Sequence, residues 1–270
     1  MTYYYFDYNG NEIRYSIQGQ GNTLILLHGF MESVQIWNDF SNELSKDFRV
    51  LCIELPGHGK SDLIADIQTM ELTANMINDL CKSIEIHEFV IIGHSMGGYV
   101  SLQFAELFPE KIKGLGLFHS HALADTDEAK QNRDRACEIV RKSRKIFISQ
   151  FIPELFAPEN IIRFDKEIKE LQSHVIDMSS EAIIASQQGM KLRTDKLNVL
   201  IDLDVPKLFI AGKQDSRVNL QQLMAQTMLC NHVDILILNI GHMGYIEARN
   251  ETLASIRNFT EKCFSFSLNH

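Results

Sequence analysis

Short apolar runs punctuate the chain at residues 23–27, 50–53, 89–92, 115–118, 207–211 and 234–238. Each is too short for a helix and, after a polar first residue at Thr23, Lys207 and Asp234, apolar throughout, the pattern of a strand buried on both faces of a parallel sheet. Ahead of them, residues 3–8 and 12–17 are aromatic or alternating and flank Asn9-Gly10, a strong two-residue hairpin turn that predicts an antiparallel entry to the sheet. Between the runs lie helical patterns over 70–84 and 97–108, the second stopped by Pro109. Alternation of this kind predicts a parallel sheet flanked by helices.

One interval breaks the rhythm, because the chain between Phe118 and Lys207 is too long for a single crossover helix. Within it Phe164, Ile168, Leu171, Val175 and Met178 keep helical spacing, as do Ala136, Ile139 or Val140, Ser143 and Phe147. We therefore expect a helical cap over residues 121–189, inserted into a core made of residues 1–120 and 190–270.

The formal charge of -9, from 26 Lys+Arg against 35 Asp+Glu, argues against nucleic acid or an anionic membrane as partner. Five cysteines, scattered without zinc-binding or redox spacing, fit reduced thiols. The first residues lack the basic start and apolar run of a signal peptide, and no stretch is long and apolar enough to span a bilayer, so a cytoplasmic location is the expectation. Neither the histidines nor the glycines are spaced to hold a metal or a phosphate cofactor, and none is expected.

Chemistry concentrates where the run at 89–92 enters Gly93-His-Ser95-Met-Gly97-Gly98 and then a helix. A strand-to-helix turn this tight needs small neighbours on either side of the serine, and Gly93 and Gly97 supply them. Such a turn exposes Ser95 as a nucleophile, which requires a base and a carboxylate to orient that base. Asp215 follows the run at 207–211 and His242 the last run, both at the strand ends that Ser95 shares. Asp202 and Asp204 precede their strand and fall at its opposite end. His119 and His121 leave the strand at Phe118 and are candidates for a pocket wall.

These motifs resemble the α/β-hydrolase superfamily, serine-nucleophile branch. His28-Gly29-Phe30 resembles its oxyanion loop, Leu55-Pro-Gly-His-Gly-Lys-Ser-Asp62 the turn after the next parallel strand, and Gly241-His242 its histidine loop. Gly189-Met-Lys-Leu-Arg-Thr-Asp195, ahead of Val205-Pro206, resembles the junction in small esterases and enol-lactonases. The resemblance implies a mostly parallel sheet of about eight strands, and backbone N–H groups of Phe30 and Met96 forming an oxyanion hole. The function it implies is cleavage of a small-molecule carboxylic ester through an acyl-enzyme, with Ser95, His242 and Asp215 as the triad and no cofactor. A lactone or carbon–carbon bond hydrolase uses the same triad, and a small-molecule receptor on this fold is the reading from another class. Monomer and homodimer both stay open.

Overall fold

The structure, a computed structural model, describes residues 2–266; residue 1 and residues 267–270 lie outside it. Eight strands, β1 (Tyr3–Tyr8), β2 (Asn11–Gln18), β3 (Thr23–Leu27), β4 (Arg49–Ile53), β5 (Phe89–His94), β6 (Ile112–Phe118), β7 (Lys207–Gly212) and β8 (Val233–Leu238), form one sheet in the order β1-β2-β4-β3-β5-β6-β7-β8. The hairpin turns at Asn9 and Gly10, with φ of 54° and 84°, the pair of positive angles a two-residue primed turn requires. β2 pairs antiparallel with β4, and from β4 to β8 every pairing is parallel.

β3 and β5 are buried along their whole length, as their unbroken apolar character predicts. β8 has the same character in sequence but is only half-buried, with Ile235 40% exposed. It pairs only with β7 and so forms the edge of the sheet. Strand order reverses at β3, which has β4 on one side and β5 on the other. In an open α/β sheet, the crevice at the carboxyl ends beside such a reversal is where a ligand fits.

The helices are α1 (Asn38–Leu44), α2 (Met70–Ser83), α3 (Met96–Leu107), α4 (Asp127–Phe151), α5 (Asp165–Val175), α6 (Ser180–Leu192), α7 (Leu197–Asp202), α8 (Leu220–Thr227), α9 (Gly244–Glu247) and α10 (Arg249–Ser265). Thr69, Thr126, Ser179 and Asn219 cap α2, α4, α6 and α8 by accepting a backbone N–H. Four helices, α4 to α7, occupy the long interval between β6 and β7. Of the two alternatives in the apolar stripe of α4, Val140 is the buried one and Ile139 is 40% exposed. α4 kinks at Ser143, whose φ of -160° and ψ of 94° are extended rather than helical. Ile168, Leu171 and Val175 turn inward from α5, as their spacing requires. No helix among the described residues is long and apolar enough to cross a membrane.

A buried ion pair joins three parts of the core. Arg14 of β2 donates from Nε and Nη2 to Glu54 at 2.8 and 2.6 Å, while Glu54 also accepts the backbone N–H groups of Val34 and Lys60. The Glu54 side chain is fully buried, so removing its partner leaves an unmatched charge. Arg14→Met is expected to lower stability by about 3–5 kcal/mol, read as a reduced urea midpoint with unchanged slope.

Candidate active site

Ser95 stands between β5 and α3 with φ 50° and ψ -115°, a left-handed conformation that costs a non-glycine residue about 1–3 kcal/mol. The surroundings enforce it. A Cβ on Gly93 would lie 2.2 Å from the backbone of Gly97, and one on Gly97 would lie 2.6 Å from the Leu27 carbonyl, so the turn closes only with glycine at both places. Ser95 N–H donates to the Phe118 carbonyl at 2.8 Å, and Ser120 Oγ donates to the Ser95 carbonyl at 2.8 Å. These bonds tie the turn to the end of β6 and leave the half-buried Ser95 side chain facing a cavity of about 550 Å³.

Asp215 and His242 meet at the same sheet edge. His242 Nδ1 lies 2.9 Å from both carboxylate oxygens of Asp215, whose side chain is 1% exposed. The Arg217 and Val218 N–H groups add bonds of 2.8 and 3.0 Å to Oδ1. A further donor is His119, with Nδ1 at 2.8 Å from Oδ2. Burial pushes the Asp215 carboxyl up, but the His242 imidazole and the bonds from His119 and His242 outweigh it and hold the group well below the usual carboxylate range. Burial likewise lowers His119 to about 4, so it donates as a neutral imidazole. The ligand atoms of His119, Asp215 and His242 lie within 4.8 Å of one another, close enough on separation alone to suggest a cation, but the short contacts are hydrogen bonds donated to the carboxylate.

The histidine loop is braced from behind. Glu247 accepts the N–H groups of Gly241 and Met243 with one oxygen and those of Ala157 and the Asn160 side chain with the other. His242 N–H donates to the Leu155 carbonyl at 2.6 Å, so the segment leaving α4 helps set the position of His242. Ser95, His242 and Phe30 all line the cavity, although no hydrogen bond joins Ser95 to His242 among the described residues. The Phe30 and Met96 N–H groups, the pair expected at an oxyanion hole, donate to no other described group.

Beneath that loop lies a second buried network. Glu32 accepts the Gly29 N–H at 2.5 Å, the Tyr245 hydroxyl at 3.1 Å and His94 Nδ1 at 3.0 Å. His94 Nε2 faces the His242 carbonyl at 2.9 Å, so both ring nitrogens face acceptors and the ring is satisfied only as an imidazolium. Burial lowers His94, but the charge and hydrogen bond of Glu32 reverse the shift and raise it; burial raises Glu32, and His94 reverses that shift too. This ion pair links the Phe30 loop, the Ser95 turn and the His242 loop.

Of the two histidines proposed for a pocket wall, His121 lines the cavity, whereas His119 turns inward to Asp215. Glu32 was not singled out from sequence, and its only signal there is a carboxylate three residues beyond Gly29 in an apolar loop. Arg133 and Asp125 of the cavity wall carry no sequence signal at all, because their partners are distant in the chain. A second cavity of about 310 Å³, lined by Met31, Gln35 and His174, lies across Glu32 and contains none of the triad candidates.

The family model for the alpha/beta hydrolase fold matches residues 22–136. An uncharacterized protein of Mycobacterium tuberculosis is 34% identical over 107 residues, which span 40% of this chain and only 31% of that protein. A putative 2-succinyl-6-hydroxy-2,4-cyclohexadiene-1-carboxylate synthase of Bacillus subtilis is 26% identical over 87% of this chain and 90% of its own. Among solved structures, a thermophilic esterase from Thermogutta terrifontis superposes with TM-score 0.90 at 28% identity, covering 97% of this chain and 99% of that one. An enol-lactonase from Burkholderia xenovorans shares the fold, with TM-score 0.87 at 20% identity over 94% and 98% of the two chains. Residues 22–136 thus match the alpha/beta hydrolase fold family, and the chain as a whole has that fold.

Two pH effects follow from the buried imidazoles. Burial lowers His28 to about 4, His58 to about 3, and His119 and His121 each to about 4. Below pH 6.5 the unfolded chain takes up protons that the folded one refuses, so stability present above that pH is lost as pH falls toward 4. Each imidazole adds up to about 1.4 kcal/mol per pH unit to the loss, to be read from urea midpoints across that range. His94 is raised, so its contribution is full below 6.5 and lost as pH rises through its folded value. Glu32→Gln is expected to remove this alkaline loss and to cost about 3–5 kcal/mol at neutral pH, measured by urea denaturation from pH 6 to 10.

Proposed function

We propose that the protein is a serine hydrolase cleaving a carboxylic ester of a small molecule through an acyl-enzyme. One observation carries the reading: a serine on a strained strand-to-helix turn shares a cavity with a histidine bonded to a buried carboxylate. It is supported by the 28% identical esterase. Ser95 Oγ attacks the ester carbonyl while His242 Nε2 takes its proton, and Asp215 stabilises the imidazolium through Nδ1. The Phe30 and Met96 N–H groups receive the developing oxyanion, each worth about 3 kcal/mol of barrier. His242 then returns the proton to the departing alcohol, and a water deprotonated by His242 releases the acid. The role we assign to His119 is positioning: its bond to Asp215 Oδ2 fixes the carboxylate beside His242. We assign the helices between β6 and β7 the role of a cap, since residues of α4 and α6 line the cavity that Ser95 faces.

With p-nitrophenyl esters of increasing acyl length, turnover and fluorophosphonate labelling at Ser95 are expected. Ser95→Ala should abolish labelling and lower kcat by about 10⁴-fold or more, and Asp215→Asn by about 10⁴-fold. Preference for cyclic over linear esters would move the reading to a lactonase. A folded wild type that neither labels nor turns over any ester would reduce the site to a receptor.

A further inference from the structure

The cavity wall is charged, and around Asp125 its charges do not balance. Among the described residues that line it, Glu32 is paired with His94 and Glu154 with Arg217, while His242 rests on Asp215. Asp125 instead faces two guanidiniums: Arg133 bonds through Nε to Oδ2 and through Nη2, at 3.4 Å, to Oδ1, and Arg193 Nη1 lies 2.6 Å from Oδ1. The Asp125 and Arg193 side chains are only 4% and 6% exposed, and Arg193 Nε is buried without a partner. Arg133 Nη1 donates to the neutral Gln187 side chain at 2.9 Å, which adds no charge. His121 beside them is held neutral by burial and by Arg193.

One positive charge is therefore left over around Asp125, in a partly dry part of the wall, an arrangement that is costly until an anion completes it. Its position suits a substrate group. The Arg193 guanidinium sits 4.0 Å over the Tyr99 ring, and Tyr99 follows Ser95 by one helical turn, about 6 Å along α3. Guanidiniums match the planar fork of a carboxylate, and a single excess charge matches a monoanion better than a phosphate dianion.

We propose that this wall is an anion subsite, and that the substrate is an ester that also carries a carboxylate, bound by Arg133 and Arg193 while Ser95 meets the ester carbonyl. The reaction rests on the hydrolase reading above; the binding does not. The carboxylate can belong to the acyl or the alcohol half, and two substrate pairs separate these. One is p-nitrophenyl hemiglutarate against p-nitrophenyl valerate, and the other 4-acetoxybutanoate against its methyl ester.

Wild type is expected to favour the anionic member of one pair by about tenfold or more in kcat/KM. Arg133→Gln should lower that ratio by about 10- to 100-fold, and Asp125→Asn, which frees both guanidiniums, should raise it. Calorimetric binding of glutarate to wild type, weakened in Arg133→Gln, reads the subsite without catalysis. If neutral esters turn over, both ratios stay near one and glutarate does not bind, the subsite is overturned and the hydrolase reading stands. If glutarate binds but no ester turns over and Ser95 does not label, the subsite stands and the hydrolase reading falls. Should Arg133→Gln fail to fold, the wild-type ratios and glutarate binding decide.

Discussion

A carboxylate with a side chain as deeply buried as that of Asp215 persists in ionised form only because donors converge on it from several elements. His119 reaches it from the end of β6, His242 from the loop after β8, and the Arg217 and Val218 N–H groups from its own loop after β7. Desolvation on its own would favour the protonated acid, which would lose its hold on His242. The carboxylate thus depends on the alignment of three neighbouring strands, and the orientation of His242 depends on the carboxylate.

The Glu32–His94 pair plays the corresponding part on the other side of Ser95. It joins the loop after β3 to the residue preceding Ser95 and to the His242 backbone. A buried ion pair adds little net stability compared with apolar packing, but it tolerates few geometries. Placed here, it holds the free N–H groups of Phe30 and Met96, the Ser95 turn and the His242 loop in one relative arrangement.

The helices between β6 and β7 contribute differently. They supply the cavity wall opposite the sheet edge, and the Leu155 carbonyl and Ala157 N–H tie their connecting segment to the His242 loop. The shared attachment couples the cavity wall to the loop that carries His242. The charge imbalance around Asp125 lies on that wall.

The strands, the hairpin at Asn9-Gly10, the helices α2 and α3 and the positions of Ser95, Asp215 and His242 just past strand ends were legible in the sequence. Each leaves a local trace: an unbroken apolar run, a pair of residues that accept positive φ, a glycine on either side of a serine, a polar residue just past a strand. Even there the edge position of β8 was invisible, because an apolar run does not say how many neighbours its strand will have. Only tertiary structure turned His119 inward onto Asp215, set Glu32 against His94 across 62 positions of sequence, and brought Arg133 and Arg193 onto one carboxylate. Those contacts join residues far apart in the chain, and a charge or hydrogen bond has no periodicity from which its partner can be read. The sequence by itself determined the elements and the polar residues at their ends. The packing of the sheet and of the inserted helices decided which of the remaining polar groups would meet, since only burial makes their pairing obligatory.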